Sequence, residues 1–178
     1  MTREVLIDCD QVLSNFILGV EQAAGLPGWT PAPCWDFASN LPPDLQQQVH
    51  ARWKRPGFIR NLPLIPGAQE GIARVRDEVP VRIVTAMEGW GYQERLEWLW
   101  EHFRIEEAQV TFAVDKGSVP GLAMLDDHTH HLRQWNQVCG RTTVLFGAPH
   151  NAGQAWPLRV ESWEEAAQLL LRISRGEL

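Results

Sequence analysis

The sequence predicts an α/β fold: a Rossmann-like parallel sheet with helices on both faces and one small helical insert. Short runs of β-branched and aliphatic residues alternate with segments whose apolar residues recur at helical spacing, which is typical of strands joined by crossover helices. Between residues 25 and 66 this alternation stops, and eight prolines fall in that stretch. A chain of 178 residues suits one domain, so we expect a core at residues 1–24 and 67–178 and an insert at residues 25–66.

The first elements follow from local pattern. Residues 5–7 are an apolar run that ends at an aspartate, which predicts a buried strand. Residues 13–24 carry apolar side chains at helical spacing and end at Gly-Leu-Pro, which predicts a helix and its stop. Inside the proline-rich insert, one helix fits over residues 44–53.

The rest of the chain predicts a regular succession of helices and strands. The run VRIVT at residues 81–85 is rich in β-branched side chains and predicts a strand. The last helix opens with the capping box Ser162-Trp163-Glu164-Glu165 and carries AAQLLL on its apolar face. Periodicity also predicts strands at residues 110–114, 122–125 and 142–146, and helices at residues 68–78, 92–103 and 131–138.

Composition excludes several classes of function. The net charge of −6 is not that of a nucleic-acid-binding surface, and no apolar run is long enough to span a membrane. The start of the chain is acidic where a signal peptide needs an apolar core. Three unpatterned cysteines argue against a disulfide framework, so a reducing, cytoplasmic location is expected. Both a monomer and a homodimer are compatible with this sequence.

Polar side chains follow four of the predicted strands. Parallel sheets bind ligands at the carboxyl ends of their strands, so these residues are expected to converge at one edge: Asp8 and Asp10, Thr85, Asp115 and Lys116, and Asp126 and Asp127. Two carboxylates beside a buried strand are costly unless something compensates them, and Mg²⁺ is a cation that such carboxylates hold. The alternatives are an aspartate that caps the next helix and, for the second pair, a surface turn.

Lys116 is informative because this chain rarely uses lysine. Lysine occurs only at Lys54 and Lys116, whereas the other 14 basic residues are arginine. A compact ammonium group suits a site where carboxylates and phosphate crowd together, and the alternative is a solvated loop lysine. Thr85 could bind phosphate oxygens at a turn between strand and helix, although a threonine at a strand end is ordinary.

The histidines of the HTHH run at residues 128–131 invite a zinc interpretation, but neither an HExxH motif nor a cysteine partner accompanies them. His128 directly follows the second aspartate pair and is therefore a candidate for the same edge of the sheet. The fingerprints GxxxxGK[ST], GxGxxG and GxSxG do not occur, so the sequence offers no nucleotide-binding loop of those kinds and no nucleophile elbow.

The residues at the strand ends carry a resemblance to a known superfamily. Asp8-x-Asp10-x-Val12, Thr85, Lys116 and Leu125-Asp126-Asp127 resemble, in order, the four motifs of the haloacid-dehalogenase-like phosphohydrolases. The segments IDCDQVLSNF, GFIRNLPLIPGAQEGI, VDKGSV and MLDDHTHHL resemble the 5'(3')-deoxyribonucleotidase branch. The resemblance covers roughly residues 5–132, and the remainder matches only in its succession of strand and helix.

The resemblance implies a magnesium-dependent phosphomonoesterase that acts on a small phosphorylated substrate, a nucleoside monophosphate. Asp8 would attack phosphorus and form an aspartyl phosphate, and Asp10 would protonate the leaving oxygen and then activate water. The implied cofactor is Mg²⁺, held by Asp8, by the backbone carbonyl of Asp10 and by Asp127, with Asp126 orienting these ligands. Phosphate would be bound by Thr85, Lys116 and Arg95.

The insert would then be a cap that supplies the substrate pocket. Candidate pocket residues are Phe16, Trp35, Phe58 and His128; the alternative for Trp35 and Phe58 is a small apolar core within the insert. The sequence departs from the branch at three positions: Gln11 replaces a frequent glycine, Arg95 a lysine and His128 an arginine. Three alternatives stay open: a phosphatase for another phosphomonoester such as a sugar phosphate, a non-catalytic binder of a phosphorylated ligand, and a phosphotransferase.

Overall fold

The computed structural model describes residues 3–32, 36–87, 89–137 and 141–178. Its centre is a six-stranded sheet in which every neighbouring pair is parallel and the strand order is β3-β2-β1-β4-β5-β6. The strands are β1 (Val5–Ile7), β2 (Val81–Thr85), β3 (Val110–Phe112), β4 (Ala123–Asp126), β5 (Thr142–Phe146) and β6 (Arg159–Val160). The predicted α/β fold with a parallel sheet is confirmed.

The helices are α1 (Phe16–Ala24), α2 (Pro43–Trp53), α3 (Ala68–Arg76), α4 (Tyr92–Phe103), α5 (Thr129–Trp135) and α6 (Trp163–Ser174). Because successive side chains of a strand point to opposite faces, the sheet separates two apolar clusters. Val5 and Ile7 join the cluster that contains α3, α4 and α6, whereas Leu6 joins the one that contains Trp135 of α5. Both faces of the sheet are therefore covered, as parallel sheets require.

Several element boundaries differ from the predictions. The strand β6 has only two residues, too few for a periodic signal, and it was not predicted. Helix α1 begins at Phe16 rather than at residue 13, because residues 8–15 form a loop in which the carbonyl of Cys9 accepts hydrogen bonds from the amides of Leu13 and Ser14. Strand β4 continues through Asp126, and α5 begins two residues earlier than predicted.

The insert contributes α2, close to its predicted position, and α2 packs against α1. Phe16 of α1 contacts Phe37 and Trp53 of the insert, with ring centroids 6.0 and 5.6 Å apart. Helix α1, which the sequence assigned to the core, thus contacts both parts, and the domain boundary at residue 24 stays a prediction. Among the described residues, none of the helices combines the length and apolar character needed to cross a bilayer.

Candidate active site

The loop between β1 and α1 presents the first two aspartates. The backbone amide of Asp8 donates to the carbonyl of Leu125, 2.9 Å away, which ties the end of β1 to β4. Gln11 has φ of 57°, in the left-handed region that favours glycine. Its side-chain oxygen accepts a hydrogen bond from the amide of Ile17 in the first turn of α1, at 3.0 Å. Glutamine thus occupies a glycine-type conformation and anchors the loop to the helix.

Three carboxylates from two adjacent strands form a buried cluster. Asp8, Asp126 and Asp127 each offer one oxygen, and these oxygens all lie within 4.8 Å of one another. The ammonium group of Lys116 lies 2.7 Å from an oxygen of Asp8 and 2.7 Å from an oxygen of Asp126. Lys116 is only 1% exposed, so the alternative of a solvated loop lysine is wrong. Three carboxylates against one ammonium leave an excess of negative charge.

That excess charge shows in the pKa values of the cluster. Burial, together with repulsion from Asp126, raises the pKa of Asp8 to about 6, although Lys116 opposes the rise. Burial and the neighbouring Asp8 and Asp126 raise the pKa of Asp127 well above its ordinary value. Burial would also raise the pKa of Asp126, but Lys116 and His131 outweigh it and hold that pKa at about 2. A divalent cation would relieve this repulsion, and hard oxygen ligands suit Mg²⁺.

Hydrogen bonds hold both members of the second aspartate pair. Asp126 accepts from the amide of His128 at 2.7 Å, and His131 lies 3.3 Å from its other oxygen. The backbone carbonyl of Asp127 accepts from the side-chain amide of Asn151 at 2.7 Å. A ring nitrogen of His150 lies 3.2 Å from the Asp127 carboxylate.

Sequence reasoning missed His150 and Asn151, which lie in the tail that the resemblance did not cover. One signal could have found them: they follow β5, so they are polar residues beyond the end of a further parallel strand.

The structure does not support the phosphate-binding role predicted for Arg95. The guanidinium group is fully buried, is not part of the cavity wall and lies against Asp10, whose Oδ1 accepts its hydrogen bond at 2.6 Å. Its other amino group donates to the Sγ atom of Cys9 at 2.9 Å. Burial raises the pKa of the Cys9 thiol to about 12, with Arg95 opposing the shift.

A cavity of about 540 Å³ opens above the carboxylates. Asp8, Asp10, Thr85, Lys116 and Asp127 all line it, so these strand-end residues converge as predicted. Asp115 does not: it is exposed, and its side chain accepts a hydrogen bond from the amide of Gly117. The side chains of the insert that line it are His50, Trp53, Lys54, Asp36, Phe37 and Ile59, none of which was a predicted pocket residue.

The predicted pocket residues have different outcomes. Phe16 and His128 line the cavity. Phe58 does not: it is 9% exposed and packs against the ring of Phe16 with centroids 5.5 Å apart, which supports its alternative role in an apolar core. Trp35 lies outside the described residues. Burial and His131 lower the pKa of His128 to about 4, so at neutral pH His128 does not supply the positive charge that an arginine would.

Comparisons with known proteins agree with this geometry. Residues 3–175 match the family described as "5' nucleotidase, deoxy (Pyrimidine), cytosolic type C protein". The chain is 28% identical over 181 residues to the 5'(3')-deoxyribonucleotidase of Bacillus subtilis, covering 96% of this chain and 100% of that relative.

Two solved structures share the fold. One is a haloacid-dehalogenase-family hydrolase from Deinococcus radiodurans with bound phosphate and sodium (TM-score 0.58, 17% identity, 97% of this chain and 96% of the other). The second is YfnB from Bacillus subtilis, a haloacid-dehalogenase-type structure bound to magnesium (TM-score 0.62, 15% identity, 96% and 99%). At these identities the likeness is one of fold alone.

Proposed function

The chain belongs to the family of deoxy (pyrimidine) 5' nucleotidases of the cytosolic C type, and on that premise we propose that it is a magnesium-dependent nucleotidase. It would release phosphate from the 5'- or 3'-position of (deoxy)ribonucleoside monophosphates through an aspartyl-phosphate intermediate. The observation that carries this proposal is the cluster of Asp8, Asp126 and Asp127 with Lys116, of which Asp8, Asp127 and Lys116 line one cavity. A divalent cation would neutralise the carboxylates of this cluster, and the cation and Lys116 together would attract the negatively charged phosphoryl group.

In the proposed reaction Asp8 is the nucleophile. Its carboxylate oxygen forms a bond to phosphorus while the bond from phosphorus to the ester oxygen breaks. Asp10 donates a proton to that departing oxygen, so the nucleoside leaves as a neutral alcohol. Water then attacks phosphorus and gives a proton to Asp10 while the bond from Asp8 to phosphorus breaks, which releases inorganic phosphate and restores both carboxyl groups.

The residues of the cluster fit a divalent cation, because Asp8 and Asp127 both have raised pKa values that an added positive charge would reverse. Asp8, the backbone carbonyl of Asp10 and Asp127 would hold Mg²⁺, and Asp126 would orient them through Lys116 and His131. When bound, the cation would neutralise charge on the phosphoryl oxygens.

Thr85 and Lys116 are the proposed phosphate ligands. Both are buried and line the cavity: Thr85 ends β2, which neighbours β1, and Lys116 lies between β3 and β4. The pKa of Lys116 is raised by Asp126 and Asp8 against the effect of burial, so this group stays charged. A fixed ammonium in a site with little water stabilises developing charge far better than a mobile surface lysine does.

The wall of the cavity favours a nucleoside over a sugar. Phe16, Phe37 and Trp53 all line it, and they contact one another with ring centroids 5.5 to 6.0 Å apart. Stacking of a base on an aromatic side chain contributes roughly 1–3 kcal/mol, whereas a sugar phosphate has no base to stack on these rings. We also propose a cytoplasmic location, which the buried free thiol of Cys9 supports.

A phosphate-release assay tests the proposal. The protein is incubated with Mg²⁺ and with deoxyribo- and ribonucleoside 5'- and 3'-monophosphates, and sugar phosphates of similar charge serve as the comparison. We expect nucleoside monophosphates to be hydrolysed with the highest kcat/KM. Preference for a sugar phosphate would reassign the substrate, and transfer of the phosphoryl group to an added alcohol in place of water would reassign the reaction.

A further inference from the structure

We infer that Arg95 is a positioning residue for Asp10: it holds one oxygen of that carboxyl group so that the other faces the leaving oxygen of the substrate. The inference rests on the proposed function, because it takes Asp10 to be the acid that protonates the leaving group. It replaces the direct phosphate contact that the sequence predicted for Arg95.

Among the described residues, both donors that reach Asp10 bind the same oxygen. The Nη2 atom of Arg95 donates to Oδ1 of Asp10 at 2.6 Å, and the hydroxyl of Ser14 donates to Oδ1 at 2.7 Å. The side chain of Asp10 is 31% exposed and lines the cavity, so Oδ2, to which neither of these donors binds, is the oxygen available to substrate.

Arg95 is held rigidly enough for this task. It lies in the second turn of α4 with no exposed surface, and its Nη1 atom donates to Cys9 Sγ at 2.9 Å and to Ser14 Oγ at 3.4 Å. The ring of Trp98 covers the guanidinium at 5.6 Å. A buried guanidinium is strongly destabilising without a paired anion, so Arg95 and Asp10 hold each other in one arrangement.

The forked shape of arginine matters here. One guanidinium group reaches Asp10 with one amino group and the Cys9–Ser14 part of the loop with the other. The single ammonium group of lysine cannot span both sets of acceptors in this planar geometry. Arginine at position 95 therefore fixes the loop and the acid together, without contacting the substrate.

Asp10 acts in both steps, but only its proton donation to the leaving oxygen depends on which ester is bound, and kcat/KM reports that first step. Protonation of the leaving oxygen is needed when a nucleoside alcohol departs, whereas p-nitrophenolate departs without it. Loss of Arg95 should therefore slow the hydrolysis of a nucleoside monophosphate much more than that of p-nitrophenyl phosphate. A merely structural role would slow both esters equally, because it would disturb the site as a whole.

The experiment compares Arg95→Met and Arg95→Lys with the unaltered protein on a deoxyribonucleoside 5'-monophosphate and on p-nitrophenyl phosphate. We expect kcat/KM for the nucleotide to fall on the order of 10²-fold and kcat/KM for the aryl ester by less than about threefold, since general acid catalysis contributes about 10²–10⁴-fold and kcat/KM excludes the shared hydrolysis of the phosphoenzyme. Arg82→Met is the matched control. Arg82 is a partly buried arginine paired with Glu4 at 3.0 Å and is not part of the cavity wall, so its loss should leave the ratio of the two rates unchanged.

Two further variants keep the test decisive if Arg95→Met does not fold. Ser14→Ala removes the second donor to Oδ1 and should shift the ratio in the same direction by a smaller factor. In a protein that already carries Asp10→Asn, adding Arg95→Lys should cause no further loss on the nucleotide, because the group it positions is gone.

Equal falls on both esters, or an additional loss in the Asp10→Asn background, would overturn the inference while leaving the proposed function in place. Failure of the unaltered protein to hydrolyse either ester would overturn the proposed function, and the inference with it. The two failures are therefore distinguished by the unaltered protein alone.

Discussion

At the scale of single residues, Lys116 shows how composition and geometry support the same interpretation. The chain uses lysine only twice, and Lys116 lies buried between Asp8 and Asp126 with both contacts at 2.7 Å. Lys54, the other lysine, is exposed but also lines the cavity. Both lysines of an arginine-rich chain thus border one cavity, and Lys54 is unsuitable as a neutral control for Lys116.

Replacing Lys116 with arginine tests whether a compact charge is required. The larger planar guanidinium cannot take the same position between two carboxylates, so Lys116→Arg should lower kcat by roughly 10²–10³-fold. Overpacking of the buried position should also lower the melting temperature. Arg74→Lys, at an exposed position of α3, is the control and should change neither quantity. A Lys116→Arg protein with unaltered kcat would remove Lys116 from the proposed site.

Asp8→Asn tests the nucleophile. The amide keeps the shape of the side chain but lacks the attacking negative charge, so no phosphoenzyme should form and kcat should fall by at least about 10³-fold. Rapid acid quench followed by mass spectrometry of the peptide that contains residue 8 measures the phosphoenzyme. Asp44→Asn, in the exposed first turn of α2, should leave phosphorylation intact. A phosphorylated Asp8→Asn protein would show that another residue attacks phosphorus.

At the scale of elements, the packing of α3 against α6 supports the loop of the site. Gly71 of α3 faces Trp163 at the start of α6, and the indole nitrogen of Trp163 donates to the carbonyl of Val12 at 2.7 Å. That carbonyl belongs to the loop between β1 and α1 that carries Asp8 and Asp10. The close packing of α3 against α6 therefore holds Trp163 in place, and Trp163 in turn holds the loop between β1 and α1.

Gly71→Ala tests this packing. An added Cβ would lie 2.4 Å from a ring carbon of Trp163, so we expect the free energy of unfolding to fall by roughly 1–3 kcal/mol, the usual effect of overpacking. The control is Gly89→Ala, where an added Cβ meets no atom within 4 Å and the effect should be under about 0.5 kcal/mol. Denaturant unfolding of the two variants measures the difference. Equal stability of both would mean that the α3–α6 contact adjusts without cost.

At the scale of the whole molecule, the carboxylate cluster links stability to pH and to metal. The pKa of Asp8 is raised from its ordinary value of 3.8 to about 6 in the folded protein. Between those values the unfolded chain has released a proton that the folded chain still holds, so the stability of the metal-free protein falls as pH rises. Asp127, whose pKa is also raised, acts in the same direction.

The metal-free protein should therefore melt at a higher temperature near pH 4.5 than near pH 7. Other titratable groups also change the melting temperature with pH, so a control must separate their effect from that of Asp8. That control is Asp8→Asn, which cannot titrate at residue 8 and should show a smaller decrease over the same range. Thermal melts in the presence of a chelator measure both proteins. A melting temperature that rises steadily from pH 4 to pH 6 would contradict the pKa that the cluster indicates.

Added Mg²⁺ should reverse this loss. A cation at 100 times its dissociation constant stabilises the folded state by about 2.7 kcal/mol, so Mg²⁺ should raise the melting temperature at pH 7.5 and much less at pH 5. Asp127→Asn should abolish the rise, whereas Asp77→Asn, in an exposed part of the chain, should keep it. Phosphatase activity that persists undiminished in excess chelator would contradict a metal-dependent reaction.

The sequence by itself determined the sheet and most of the residues at its edge. Strands and helices can be predicted from the periodicity of apolar side chains. That pattern is local, so it can be recognised in a single sequence. Because parallel strands end at a common edge, polar residues after separate strands could be assigned to one site: Asp8, Asp10, Thr85, Lys116 and Asp127 all line the cavity.

Only the tertiary structure decided what surrounds those residues. Arg95 contacts Asp10 across 85 positions of sequence, and His150 reaches Asp127 across 23. Phe37 and Trp53 line the cavity, whereas Phe58 does not line it and packs against the ring of Phe16. Such contacts depend on how elements pack in three dimensions, and packing between distant segments leaves no periodic pattern in a single sequence. The partner of a buried charge is therefore visible only once the helices and the sheet are in place.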